Sequence, residues 1–250
     1  MILAILQVRT SSTRLPGKVL LPILGRPMLA RQIERLLRCQ RIDRLIVATS
    51  GAAADDSIAG LCREMDIECF RGSLDDVLDR FYQAACVYEP QHVVRLTGDC
   101  PLADPSLIDA LIEFHLAEAA DYSSNCHVPS LPDGLDAEVM RFTTLEAAWR
   151  EARRPSEREH VTPWIRAHEE RFKIALWRHE PDLSSERWTV DEEADYRFVC
   201  AVYEALYPEN PAFGMQEVLA LLERRPELRA LNQGIERNAG YHKSLQRDGT

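Results

Sequence analysis

Ile2-Leu3-Ala4-Ile5-Leu6, followed at once by Gln7-Val8-Arg9-Thr10-Ser11-Ser12-Thr13-Arg14-Leu15-Pro16-Gly17-Lys18, opens the chain. The apolar run has the length and residue types of a buried strand. The loop that leaves it carries two arginines, a lysine, the hydroxyls of Ser11, Ser12 and Thr13 beyond Thr10, and one glycine. Small residues let the backbone approach phosphate oxygens, and hydroxyls and amides donate to them. Arginine binds phosphate with a planar fork and lysine as a point charge. These cations gather at the C-terminal end of a first strand, where open α/β sheets bind ligands. A polyanion is therefore the expected ligand of this loop.

Neither common phosphate motif is present. Gly17-Lys18 is followed by Val19 and lacks the earlier glycine of a Walker loop, and no G-x-G-x-x-G occurs. The 250 residues suffice for one sizeable core. With 46% hydrophobic and 28% charged residues, a soluble globular protein is expected. No apolar run approaches the ~20 residues of a membrane span, and the N-terminus lacks the basic region of a signal peptide. A net charge of −10 argues against a nucleic-acid surface, so the anion site must be local. The seven cysteines are odd in number and form no C-x-x-C pair. They read as packing residues in a reducing cytoplasm, without a disulfide framework or zinc site.

Outward from the first strand, apolar periodicity predicts helices over 27–38, 55–66, 74–88 and 104–115. Strands are predicted over 44–49, 67–70 and 92–96. Repeated βα units imply an α/β fold, a single doubly wound, mostly parallel sheet with helices on both faces. The rhythm breaks after Asp121. Residues 125–136 read as loop, followed by a helix near 143–152. Ser156-Glu157-Arg158-Glu159 reads as a capping box for a helix to about residue 168. Strands over 172–177 and 187–190 and helices over 195–207 and 214–224 complete the reading. The section from about 121 to 187 reads as an insertion that completes the sheet and offers a place for a dimer contact. The chain, 1–250, is expected to form one domain.

Two further blocks carry chemistry. In Arg95-Leu96-Thr97-Gly98-Asp99-Cys100-Pro101-Leu102, a strand ends, Gly98 permits a tight turn, and Asp99 is presented on the same sheet edge as the phosphate loop. A carboxylate there suits Mg²⁺, a hard cation held by one or two carboxylates plus substrate phosphates. In Trp188-Thr189-Val190-Asp191-Glu192-Glu193-Ala194-Asp195, a strand again meets an acidic turn and a helix. Asp191, at the strand end, is the candidate second carboxylate; its acidic neighbours read as helix-charging residues.

Taken jointly and in order, these blocks resemble the CMP-Kdo synthetase-like cytidylyltransferases, most closely the spore-coat polysaccharide biosynthesis F subgroup, over nearly the whole chain. The resemblance implies a nucleotide-diphospho-sugar transferase-like fold. It also implies transfer of CMP from CTP to a small acidic sugar; a homodimer is expected from the inserted middle section. Arg9, Ser12, Arg14 and Lys18 match phosphate-contacting positions; Ser11 and Thr97 are further nucleotide-binding candidates, and Arg14, Lys18 and Asp99 are the catalytic candidates. Asp99 and Asp191 match the Mg²⁺ ligands. Arg71-Gly72-Ser73-Leu74-Asp75-Asp76-Val77-Leu78-Asp79-Arg80 matches a block near the base and sugar, through Ser73 and Arg80. Thr97-Gly98-Asp99-Cys100-Pro101 departs from the Gln-Gly-Asp-Glu-Pro of the Kdo enzymes. Asp133-Gly134-Leu135-Asp136-Ala137-Glu138 and Glu159-His160-Val161-Thr162-Pro163 look like the spore-coat subgroup instead.

Asp136, Glu138 and His160 are candidates for the sugar side, although the acidic stretch reads equally as a solvated loop. Trp149, Trp164, Trp177 and Trp188 offer sugar-stacking rings, in contexts that favour packing. Cys100 has no local histidine partner and reads as a packing residue. Arg14 and Lys18 are expected to be exposed in the ligand-free protein. Three rival readings remain. One is a nucleotidyltransferase with another NTP or a non-sugar acceptor. Another is a metal-dependent glycosyltransferase, against which the missing D-x-D counts. The third is a non-catalytic nucleotide-binding protein.

Overall fold

The structure, a computed structural model, describes residues 1–235 together with Arg237, Tyr241, Ser244, Leu245 and Asp248. β1 (Ile2–Gln7) is followed by a short ribbon, β2 (Pro22–Ile23) and β3 (Arg26–Pro27), and by α1 (Met28–Leu36). Then come β4 (Arg44–Ser50), α2 (Asp56–Glu64), β5 (Glu68–Gly72), α3 (Val77–Cys86) and β6 (His92–Thr97). α4 (Pro105–Ala117), β7 (Tyr122–Ser124), β8 (Glu138–Arg141), α5 (Phe142–Glu151), α6 (Pro155–His160) and α7 (Pro163–Arg166) follow. β9 (Ile174–Leu176), α8 (Glu193–Leu206) and α9 (Met215–Arg224) complete the helices and strands that bear on the site.

The sheet runs β5-β4-β1-β6-β8-β7-β9. Its first four strands are parallel, β8 is antiparallel to both neighbours, and β9 is parallel to β7. Alternation along β1 explains the layers. Ala4 and Leu6 enter one core with α1, α2, α4, α8 and α9, while Leu3 and Ile5 enter the other with α3, α5 and α7. All four are fully buried, as strands covered on both faces require. Strand order reverses at β1, between β4 and β6, and the crevice beyond the C-terminal ends of β1 and β6 is the ligand position of such sheets.

Local chemistry sets the element ends. Asp104 caps α4, accepting from Ser106 N at 2.9 Å, with Pro105 in the first turn. Asp76 caps α3, accepting from Asp79 N at 2.8 Å. The capping residue expected at Ser156 lies elsewhere. Glu157 accepts from the backbone of Arg153 and Arg154, each at 3.0 Å, and the helix begins at Pro155. That helix does not run to residue 168. It stops at Val161, at φ 71°, and α7 starts anew at Pro163, because proline has no N–H for the ladder and restricts the residue before it.

The middle section completes the sheet as expected, but through short strands whose apolar alternation is weak. β7 is Tyr-Ser-Ser, and β8 begins at Glu138, in the stretch read as an acidic loop. Residues 187–190 are not a strand; only a bridge joins Arg187 to Asp133. That contact depends on Gly134, at φ 107°, where a Cβ would lie 2.4 Å from Thr189 N. Both the backbone conformation and the space exclude a side chain. Gly134→Ala should destabilise the protein by at least about 2 kcal/mol. Urea unfolding gives the measure, and an unshifted midpoint would show that this turn tolerates a side chain.

Candidate active site

The loop after β1 and the turn after β6 meet at the switch point. Gly98 N donates to Gln7 O at 2.8 Å, and a Cβ on Gly98 would press on Val8 Cγ2 at 3.0 Å. Gly98 leaves room for this close approach, which brings Asp99 beside the loop after β1. Val190 N donates to Asp99 O at 2.8 Å, so the 190–191 turn joins the same edge.

Lys18 closes the cluster. Its ammonium donates to Val190 O at 2.7 Å, Asp191 Oδ1 at 2.9 Å and Asp99 Oδ2 at 3.3 Å. The expectation of an exposed lysine is corrected: Lys18 is 8% exposed. Burial alone would lower its pKa, but Asp99 and Asp191 outweigh burial and raise it. Burial would likewise raise Asp99, yet Lys18 and the Thr97 hydroxyl hold it down at about 2. The two acidic candidates, far apart in sequence, thus share one counter-charge. Asp191 also receives Arg14 at 2.9 Å and Arg187 at 3.3 Å. Arg14 is partly buried in this pairing, less exposed than expected.

Two cavities meet here. One, of about 800 Å³, is lined by Arg9, Ser11, Ser12, Thr13, Arg14 and Lys18 of the loop, together with Asp75, Asp76 and Arg158. The other, of about 260 Å³, is lined by Asp133, Asp136, Glu138, Thr162, Arg166 and Tyr241. Arg14, Arg95, Thr97, Asp99, His160 and Asp191 line both. Most of the candidate residues therefore converge on one cleft. Ser73 and Arg80 stand apart from its lining. Ser73 Oγ accepts from Asp76 N at 3.0 Å, and its carbonyl accepts from the fully buried Arg80 at 2.6 Å. Both support the turn that presents Asp75 and Asp76.

The acidic stretch is not a solvated loop. Asp133 is pinned by Arg187 at 2.9 Å, and Asp136 accepts from Arg237 at 2.7 Å. Burial pushes Asp136 up to about 7 despite Arg237. Glu138 is 4% exposed and bonds to Arg95, Tyr122 and Thr162. Burial would raise its pKa, but Arg95 prevails and lowers it. Glu138 is a structural anchor beneath the cavity as much as part of its wall. Burial pushes His160 down to about 4, so its imidazole is neutral near pH 7. Cys100 lies 3.4 Å from Thr97 Oγ1, and burial pushes its thiol up, which opposes a thiolate nucleophile.

Reading the sequence alone missed Arg187 and Arg237. Arg187 also donates to the fully buried Asp195, at 2.9 Å from Nε. The i, i+4 spacing from Arg187 to Asp191 was the available signal; nothing local links Arg237 to Asp136. Among the described residues no group of three or more His, Cys, Asp or Glu side chains is placed to hold a metal ion. The Asp99–Asp191 pair supplies two hard oxygen donors beside the candidate phosphate loop. That set fits Mg²⁺, which keeps its remaining positions for water and phosphate.

A cytidylyltransferase family model matches residues 3–237. The spore coat polysaccharide biosynthesis protein SpsF of Bacillus subtilis is 33% identical over 233 residues, covering 90% of this chain and 95% of its own. A 3-deoxy-manno-octulosonate cytidylyltransferase of Trichlorobacter lovleyi is 29% identical over 245 residues, covering 94% and 87%. The solved structure of a cytidylyltransferase from Leptospira borgpetersenii superposes with a TM-score of 0.88 at 29% identity, covering 94% of this chain and 99% of that one.

Glu138→Gln leaves the Arg95 guanidinium, 15% exposed, without its counter-charge. It should cost about 3–5 kcal/mol at pH 7. Because the folded carboxyl pKa is depressed, that advantage is present above the ordinary 4.5 and is lost as pH falls through the lower folded value. Urea melts of both proteins at pH 7 and pH 3.5 should show the gap narrowing. Equal stability at pH 7 would return Glu138 to a purely ligand-facing role.

Proposed function

The chain belongs to the cytidylyltransferase family, and on that premise we propose that this nucleotidyltransferase moves CMP from CTP to a small sugar acid. The observation that carries this reading is the meeting of two cavities at Asp99 and Asp191, one lined by the phosphate loop and one by the acidic stretch. The larger cavity takes CTP. The smaller takes an acceptor, for which one relative's name supplies a sugar acid, 3-deoxy-manno-octulosonate, and another's the setting, spore coat polysaccharide biosynthesis.

The acceptor hydroxyl oxygen bonds to the α-phosphorus as the bond to the bridging oxygen of the β-phosphate breaks. Pyrophosphate leaves with that electron pair, and the hydroxyl proton passes to solvent. Such a transfer asks the protein for alignment and charge neutralisation. Arg9, Arg14 and Lys18 hold the β- and γ-phosphates and stabilise the departing pyrophosphate, with the Ser11 and Ser12 hydroxyls donating. Lys18 and Arg14 must exchange carboxylate partners for phosphate, which leaves Asp99 and Asp191 as donors for Mg²⁺. When bound, the ion neutralises phosphate charge and lowers the pKa of the attacking hydroxyl. Asp136 and His160 face the acceptor. We assign the protein to the cytoplasm as a single-domain homodimer, the dimer contact lying in the section from about 121 to 187.

The direct test is pyrophosphate release from each of the four NTPs against a set of sugar acids. CTP alone should support turnover, and chelation should abolish it; equal use of ATP or UTP would remove the base assignment. Lys18→Ala and Arg14→Lys should each cost about 2–4 kcal/mol in transition-state stabilisation. Asp191→Asn should collapse Mg²⁺-dependent turnover. Normal Mg²⁺ dependence in that variant would reduce Asp191 to a helix-charging residue.

The ionisation of Asp136 near pH 7 adds negative charge beside an acidic acceptor. Acceptor KM should therefore rise as pH increases through about 7, and Asp136→Asn should flatten the profile. A wild-type profile without that inflection would detach Asp136 from the acceptor.

A further inference from the structure

The cleft has a wall that lies outside the span matched by the family model, which ends at residue 237. Tyr241 lines the smaller cavity and is the only aromatic ring besides His160 among its described lining residues. Its ring meets His160 edge-on, with centroids 5.0 Å apart, and the Arg166 guanidinium lies 5.6 Å from its centre. Beyond Tyr241, Ser244 and Asp248 bond to α6. Ser244 Oγ donates to Glu159 Oε2 at 2.8 Å, and Ser156 N donates to Asp248 Oδ1 at 2.9 Å. The four tryptophans read as stacking candidates line neither cavity of the cleft, and Trp188 is fully buried.

The remaining wall of the smaller cavity is largely ionic and hydroxylic. Such groups read the hydroxyls of a sugar but offer little to its C–H face, which packs against an aromatic ring. We propose that Tyr241 is a specificity-determining residue that stacks on the C–H face of the acceptor, and that the contacts of Ser244 and Asp248 with α6 help to place it. This rests on the sugar-acid reading of the smaller cavity. Tyr241 does not line the larger cavity, so its loss is expected to act mainly on the acceptor side.

The test is pyrophosphate release from CTP with a set of sugar acids that includes 3-deoxy-manno-octulosonate. Wild type, Tyr241→Ala, Tyr241→Leu and Tyr241→Phe are compared with the best wild-type acceptor. Tyr241→Ala and Tyr241→Leu should raise acceptor KM about ten-fold while CTP KM stays within about two-fold. Tyr241→Phe keeps the ring and should remain near wild type. Thermal melts identify a variant that fails to fold, and the leucine variant preserves bulk if alanine does. An unchanged acceptor KM, or acceptor and CTP KM rising together, would overturn the assignment. No release by wild type with any acid would instead remove the sugar-acid reading, and the proposed stacking with it.

Discussion

The Lys18 ammonium holds together three segments that are remote in sequence: the loop after β1, the turn after β6, and the turn before α8. A buried ammonium is tolerable only when its desolvation is offset by charge and hydrogen bonds. Here two carboxylates and one carbonyl supply both. The reverse also holds, because Asp99 and Asp191 can stand close together only with a cation between them. Without a ligand the site is therefore kept assembled by its own residues.

The same principle extends outward. Arg187 joins Asp133, Asp191 and Asp195, and Arg95 neutralises Glu138 beneath the smaller cavity. Arg237 does so for Asp136 from the far end of the chain. In a protein of net charge −10, cations are thus gathered at the switch point, and the acids behind them, Asp133, Asp136 and Glu138, are paired with arginines. The proposed exchange of Lys18 and Arg14 from carboxylate to phosphate accords with this, since a triphosphate carries more charge than either aspartate.

Environment separates carboxyl groups that look alike in the sequence. Asp99 is held acidic by Lys18, Glu138 is held ionised by Arg95, and Asp136 is driven toward neutrality by burial that Arg237 only partly offsets. Ionised and near-neutral carboxyls then line one cavity, which carries less negative charge than the residue types alone imply.

The sequence by itself determined the parallel half of the fold and singled out the loop after β1 as the candidate phosphate site. Strand-length apolar runs alternate there with helical periodicity, and the Arg9–Lys18 stretch concentrates its chemistry in consecutive residues. It also singled out Asp99 and Asp191, because each follows an apolar segment at the same kind of chain reversal. Only the tertiary structure decided that Lys18 is buried between them, that Glu138 begins a strand rather than lying in a loop, and that Arg187, Arg237 and Tyr241 belong to the site. Short strands such as Tyr122–Ser124 carry too few residues for a period to register. Ion pairs such as Arg237 with Asp136 span 101 positions. Pairing of that kind is set by three-dimensional proximity and shared desolvation, which local sequence does not encode.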